Sequence, residues 1–400
     1  MIVNFSGVPV VFNLLNAIHT KSFFAQVILF LNRGSRNLEK QKQIAYKMRK
    51  VNMLLIILLH IGESLLSQSH PSPHSYVAYK TSGGINIDGK GNEESWQKAD
   101  YSEDFIDIEG ENEPKYQTGI KMLYDNNYLY FYAKMEEPHV WGTLKQRDTV
   151  IFYNNDFEIF IDPDGDTHNY YEFEMNALNT IWDLLIVKPY RESAPVLDSW
   201  DIQGLKSAVY VEGTLNDPSD VDSYWSLEVA IPWEVLKEAN VHKRIPEDEF
   251  WRINFSRVHW DHNIHDGTYS RKKDEQGIYL PEYNWVWSPQ YVVNMHEPEK
   301  WGYVFFSSKE VGGEDKFVIP DDEQIKWWMY DLYRAQKTYF RKNKKWAPGL
   351  EALPSSKLLI GEHELKPTYE PHSSGWNISV ESPFSGKTLL IKEDGKFVKP

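Results

Sequence analysis

Between Thr149 and Asp183 the chain twice alternates apolar and polar positions, with an acidic turn separating the two runs. In Phe157-Glu158-Ile159-Phe160-Ile161 the aromatic and β-branched side chains suit a pleated, half-buried surface. Asp162-Pro163-Asp164-Gly165-Asp166 then supplies the residues that end a strand. From Tyr171 to Met175 the apolar side chains Tyr171, Phe173 and Met175 share one face, and Glu172, Glu174 and Asn176 share the other. The pattern predicts a hairpin with one face in a core and polar groups beside rings on the opposite face.

Similar short runs recur on both sides. Ile85 to Asp88 alternates into Asp-Gly, with Trp96 shortly after as a plug under one end of a sheet. Ile120 to Tyr124 and Tyr128 to Met135 flank Asp125-Asn126-Asn127, a hairpin signature. Further strands are predicted at Ala208 to Val211, Trp225 to Ile231, Trp251 to Val258, Asn284 to Trp287 and Trp301 to Phe306. Pro232 opens a single helical turn through Lys237. Many short strands with little helix predict a mainly β chain: an antiparallel, jelly-roll-like β-sandwich over residues 76 to 308.

After Gly312-Gly313 the period changes. Asp321-Asp322-Glu323 provides an acidic first turn, and Ile325, Trp328, Met329, Leu332 and Tyr333 fall on one stripe. Arg341, Lys342, Lys344 and Lys345 suit the carboxyl end. Residues 314 to 400 therefore read as a C-terminal amphipathic helix followed by a small hairpin, its apolar stripe packing on the sandwich.

At the other end, Met48-Arg49-Lys50-Val51-Asn52 is a positive start before the apolar run Met53 to Ile61, followed by small and polar residues to Ser69. This is the form of a signal peptide over 48 to 69, which makes residues 1 to 47 an upstream extension. The expected destination is secreted or periplasmic, with no stable membrane span once the signal is removed. His70-Pro-Ser-Pro-His74 is a short extended linker.

Composition sharpens the function classes. The net charge is −15, yet the first fifty residues hold eight Lys or Arg and one acidic residue, which leaves −22 on the remainder. No nucleic acid is expected as a partner, because phosphate backbones are bound by basic surfaces. With no cysteine there is neither disulfide nor thiolate chemistry. Fifteen Trp and 24 Tyr give more ring surface than a core of this size needs, which suits stacking on sugars. Gly-x-Ser-x-Gly, P-loop and dinucleotide fingerprints are all missing.

The run from Ile87-Asp88-Gly89 and Trp96 through Leu129-Tyr130-Phe131-Tyr132-Ala133, Asn155 to Asp162, Trp225 to Trp233 and Trp301-Gly302-Tyr303 resembles the family 9 carbohydrate-binding module. The resemblance implies a β-sandwich, structural calcium, and binding of sugars or chain ends of plant polysaccharides such as xylan, often beside glycoside hydrolase domains. It places the first stacking ring on Phe152, the strand glutamate on Glu158 and a polar amide on Asn176. The second stacking position falls near Met295, a departure that leaves Trp260 or Trp287 to supply the ring.

A saccharide needs a ring over its C–H face and amide, acid or guanidinium groups for its hydroxyls. The candidate ligand-binding residues are Phe152, Glu158, Asn176, Trp182, Asp183, Arg257, Trp260 and Trp287. Asp162, Asp164 and Asp166 have the alternate spacing that lets carboxylates converge on calcium, although Thr167 and Phe173 stand where an EF-hand has Gly and Glu. Asp156, Glu158, Glu172 and Glu174 have the chemistry of a glycosidase acid and base, but carboxylates on a sandwich face are more often solvated or hydrogen-bonded, and these 400 residues leave no room for an additional catalytic barrel. Heme binding is a second reading, with Met295, His296, His168 and Met175 as the available ligands. Adjacent strand residues point to opposite faces, so Met295 and His296 are not expected to share one ligand face.

The reading is thus an exported, non-catalytic saccharide-binding protein of bacterial polysaccharide breakdown. Amino-terminal sequencing of the exported protein should find a mature chain that begins after the apolar run. A mature chain that retains residues before Met48 would contradict the assignment of its start.

Overall fold

Residues 71–354 and 357–398 are described by a computed structural model, so the extension over 1–47 and the export segment over 48–69 lie outside the described residues. In chain order the first strands are β1 (Ser75–Lys80), β2 (Ile106–Asp107), β3 (Thr118–Tyr124), β4 (Tyr128–Glu136), β5 (Asp156–Asp162), β6 (Tyr170–Asn176) and β7 (Ile181–Ile186). Then come β8 (Val196–Leu197), β9 (Lys206–Glu212), β10 (Tyr224–Pro232), β11 (Phe250–His259), β12 (His262–His265), β13 (Thr268–Arg271), β14 (Tyr283–Val286) and β15 (Gly302–Glu310). Short helices α1 (Glu94–Lys98) and α2 (Trp233–Leu236) interrupt them.

Hydrogen bonding runs β8-β7-β6-β5-β11-β15-β1-β3-β4-β10-β9, with β14 and then β2 beside β11. The two halves of this path face each other as a sandwich. Phe157, Ile159 and Ile161 of β5, Tyr171, Phe173 and Met175 of β6 and Ile253 and Phe255 of β11 share one buried cluster with Met122, Phe131, Leu227 and Val229 from the other half. Most neighbours are antiparallel, but β1 runs parallel to both β15 and β3. Strand alternation fixes which face a side chain occupies; it leaves neighbour direction open.

Two separated sequence pieces prove to be one unit. Glu228 of β10 accepts hydrogen bonds from the Asp88 and Gly89 backbone N–H groups and from the Trp96 indole, at 2.7–2.8 Å. Trp96 is fully buried there, the plug its position predicted.

The β5–β6 hairpin corrects one expectation. Its outer face is not left to solvent, for every residue of both strands is buried. Phe160, Tyr170, Leu184, Ile186 and Val286 pack on that face against Ile108, Met295 and Trp301, because the segment after Trp287 lies across the sheet. Gly302 lets the chain re-enter the sandwich, since a Cβ there would come within 2.3 Å of the Trp287 ring.

Beyond the sandwich, α3 (Asp321–Asn343) begins after Pro320 and ends on Lys344 in the left-handed region, φ 57°. A hairpin of β16 (Leu358–Ile360) and β17 (His363–Leu365) follows. The antiparallel sheet β18 (Thr368–Pro371), β19 (Trp376–Glu381), β20 (Thr388–Lys392) and β21 (Phe397–Val398) completes the tail. The tail is thus larger than one hairpin, and its stripe packs differently from expectation. Ile325, Trp328, Met329, Leu332 and Tyr333 form a core with Trp376, Ile378, Leu389, Ile391 and Phe397 of the tail's own sheet. The junction with the sandwich is both aromatic and polar: Phe317 packs against Phe250, Tyr303 and Phe305, Arg334 pairs with Glu297 and Glu299, and Arg252 reaches Glu323 at 3.4 Å. Among the described residues no helix is long and apolar enough to cross a membrane.

Candidate functional site

Register on the outer face of the hairpin decides what meets. Glu158 on β5 stands opposite Glu174 on β6, which stands opposite Trp182 on β7. Asp156 and Glu172 occupy the same face, one alternation away in opposite directions along the hairpin. Four carboxylates therefore gather where three strands run side by side. Above them opens a cleft of about 230 Å³ lined by Phe152, Glu158, Glu172, Glu174, Trp182, Tyr190, Glu282, Asn284, Met295 and His296, among others. That lies below the roughly 300–1,000 Å³ of typical small-molecule pockets, and suits a ligand of about one ring.

Rings and carboxylates are tied together at the rim. The Phe152 N–H donates to Glu174 Oε2 at 3.0 Å, and the Trp260 indole donates to the Phe152 carbonyl at 2.7 Å. Trp260 is buried with Trp141, Val258 and Tyr269 and supports Phe152 from behind. Trp182 is half-buried and its indole N–H has no partner. Opposite lies the segment after Trp287: His296 Nδ1 bonds the Tyr170 hydroxyl at 2.9 Å, and its ring lies 3.9 Å from that of Tyr190.

The floor is electrostatically costly. Asp156 is fully buried, and neither of its carboxylate oxygens has a donor in hydrogen-bonding geometry. Burial first, then the charges of Glu158 and Glu172, push its carboxyl well above the usual range, with only the Val258 amide opposing. Burial likewise raises Glu172 and Glu174, each reinforced by neighbouring carboxylates. Glu158 is pushed up to about 7 by burial, with Ser256 opposing and Glu282 adding to the rise. His296 brings no compensating charge, since burial and then Arg191 push it down to about 3.

The predicted residues divide into three groups. Phe152, Glu158 and Trp182 line the cleft. Trp260 and Asn176 act behind it; Asn176 accepts from Leu178 and Thr180 N–H and closes the β6–β7 turn. Asp183, Arg257 and Trp287 point to the other side of the sheet. Asp183 holds Arg147 and the Ile202 N–H, Arg257 joins the halves through Thr118 and Glu137, and Trp287 is core. Odd-numbered positions on these strands face inward, a parity already readable in Phe157 and Phe173. Tyr190, Glu282 and Asn284 are not among the candidate residues, because they come from a turn, from the loop before β14 and from β14 itself, with no motif around them. Met295 takes its expected place, so a thioether stands where the resemblance has a second ring.

Met295 and His296 both line this cleft, contrary to the alternation argument, because residues 294–297 are not a strand. They nevertheless form one wall. Met175 lies in the sandwich core and His168 near Asp394 of the tail, so these four residues do not furnish opposed axial ligands.

The Asp162, Asp164 and Asp166 carboxylates do converge, with ligand atoms within 4.8 Å of one another. Protein donors also reach them. Asp162 accepts from the Gly165 and Thr167 N–H groups at 2.9 Å, Asp166 from the His168 N–H at 2.7 Å and from Lys396 at 3.0 Å. Lys326 donates to the Gly165 carbonyl. Lys326 and Lys396 stand beside the loop, yet burial and then the neighbouring carboxylates still push Asp162 well above the usual range and Asp164 up to about 6.

A family model described as Carbohydrate family 9 binding domain-like matches residues 87–263, so the resemblance carried by the motifs holds over that span. No curated protein matches the chain. A crystal structure from Bacteroides uniformis ATCC 8492 is similar at 16% identity and TM-score 0.45, covering 59% of this chain and 100% of that one. A family 9 module from Caldicellulosiruptor kristjanssonii in complex with cellotriose is similar at 16% identity and TM-score 0.35, over 61% of this chain and 98% of that one. The same module with glucose gives 14%, 0.35, 61% and 100%.

The raised acids set a sign for pH dependence. A carboxyl with a higher pKa in the folded state contributes stability at low pH that is lost as pH rises through the folded value. For Glu158 the window runs from 4.5 to about 7. With chelator present, E158Q should gain thermal stability relative to wild type as pH rises across that window. A constant difference, or one that shrinks, would contradict this environment for Glu158.

Proposed function

We propose that the chain binds carbohydrate without cleaving it, through the cleft on the outer face of β5, β6 and β7. One observation carries the reading: Glu158 and Glu174 lie side by side on a floor whose walls include the Phe152 and Trp182 rings, in a space of about one ring. A pyranose presents C–H groups to such rings and hydroxyls to such acids. The match over residues 87–263 supports this, as it spans the floor strands and Phe152. Tyr190 and Met295 replace a flat second platform, which favours a single terminal ring over a long internal stretch of polymer.

The wider role we propose is that of an exported protein in the uptake or breakdown of xylan- or glucan-type polysaccharide, with its ligand met outside the cytoplasm.

Calorimetric titration of xylo- and cello-oligosaccharides into the full chain, with 1 mM calcium present, tests the reading. Phe152→Ala, Trp182→Ala and Glu158→Gln should each weaken binding at least about tenfold, or about 1.4 kcal/mol. Binding that survives all three substitutions unchanged, or no binding by any of these sugars, would overturn it.

A further inference from the structure

Acidic clusters elsewhere in the described residues come with their cations. Asp148, Asp183 and Asp201 surround Arg147. Asp162, Asp164 and Asp166 have Lys326 and Lys396 beside them. Glu297 and Glu299 hold Arg191 and Arg334.

Asp156, Glu158 and Glu174 differ. Each offers an oxygen within 4.8 Å of those of the other two, and all three side chains are at least nine-tenths buried, with no Lys or Arg paired to any of them. Asp156, at 0% exposure, has neither oxygen in hydrogen-bonding geometry with a donor, the Val258 amide being the one N–H among the described residues that acts on it. A second, separate side chain repeats the pattern: Glu172, 4% exposed and lining the same cleft, leaves its buried Oε2 unpartnered. Native interiors seldom leave buried acceptors unpaired, and an uncompensated buried charge is more costly still.

From this contrast we infer that Asp156, Glu158 and Glu174 form a site for a hard divalent cation of the calcium class, set in the cleft floor and completed by hydroxyls of the bound saccharide. Oxygen-only ligands select a hard cation, and calcium takes six to eight of them at roughly 2.3–2.6 Å. Asp156 closes the site from the sheet side. Glu158 and Glu174 reach the cleft, and the Phe152 amide already occupies one Glu174 oxygen, so the three carboxylates alone leave coordination positions open toward the ligand. Vicinal hydroxyls of a pyranose are neutral oxygen donors suited to those positions. The inference rests on the saccharide reading for its last part only. It makes sugar binding conditional on the ion.

The test begins with calorimetric titration of calcium chloride alone into the chelated full chain, comparing wild type with Asp156→Asn, Glu174→Gln and Asp164→Asn. Wild type and D164N should bind calcium and gain melting temperature; D156N and E174Q should do neither. Because the amides relieve carboxylate crowding, D156N should melt at or above the chelated wild type, so loss of binding is not loss of fold. Chelation should then weaken xylo- or cello-oligosaccharide binding at least about tenfold. No calcium binding, or binding lost in D164N and kept in D156N, would overturn the site. Sugar bound equally well with and without calcium would overturn the link between ion and ligand while leaving the saccharide reading intact. Calcium bound with no sugar bound would instead defeat that reading and keep the ion site.

Discussion

Four carboxyl groups on one face of a β-hairpin, removed from water with no basic side chain among them, are the constraint from which the rest of this molecule follows. Removing an ionised carboxylate from water without a partner costs several kcal/mol even after relaxation. The protein reduces that cost only in part: the Phe152 amide serves Glu174, while Asp156 is left without a donor in hydrogen-bonding geometry. Keeping such a group of side chains is understandable if something else supplies the missing partners. The cleft opens directly onto Glu158, Glu172 and Glu174, with Asp156 beside them.

The scaffold is arranged to hold that face still. Beneath it lies the apolar interior shared by both halves of the sandwich; across it lies the segment from Trp287 to Trp301. This covering segment is itself anchored from the far side. Burial alone would raise the Glu299 carboxyl, but Arg191 and Arg334 overcome it and hold it at about 2, firmly ionised. Arg334 belongs to α3, so the tail grips the chain only a few residues from the cleft wall at Met295 and His296. Through Arg191, Glu192, Tyr333 and Lys337 it also holds the turn that carries Tyr190. The tail thereby becomes part of the frame of the cleft, and the described residues form one compact unit.

Much of this was legible in the residues. Period-two alternation at Phe157–Ile161 and Tyr171–Met175 located the central hairpin and placed Glu158 and Glu174 together on its outer face. The motif pieces around Asp88, Trp96 and Glu228 pointed to the fold, and hydrogen bonds to Glu228 join them in it. What strand parity could have corrected was the placement of Arg257, Trp287 and Asp183, whose positions put them on the inner side with Phe157 and Phe173. Other features lay beyond any local pattern. A loop that covers a sheet is invisible to alternation, so the buried outer face could not be foreseen, nor could Tyr190 and Glu282 meeting at one cleft from distant segments. The helix stripe was visible at Ile325, Trp328 and Leu332, but its partner sheet lies some fifty residues later, and periodicity names no partner.

The most direct measurement is a crystal structure of the protein grown with calcium and a short xylo- or cello-oligosaccharide. The account predicts density for one terminal sugar ring in the cleft against Phe152 and Trp182, with ring hydroxyls above Glu158 and Glu174. Sugar found on any other surface, with the cleft holding solvent alone, would contradict it.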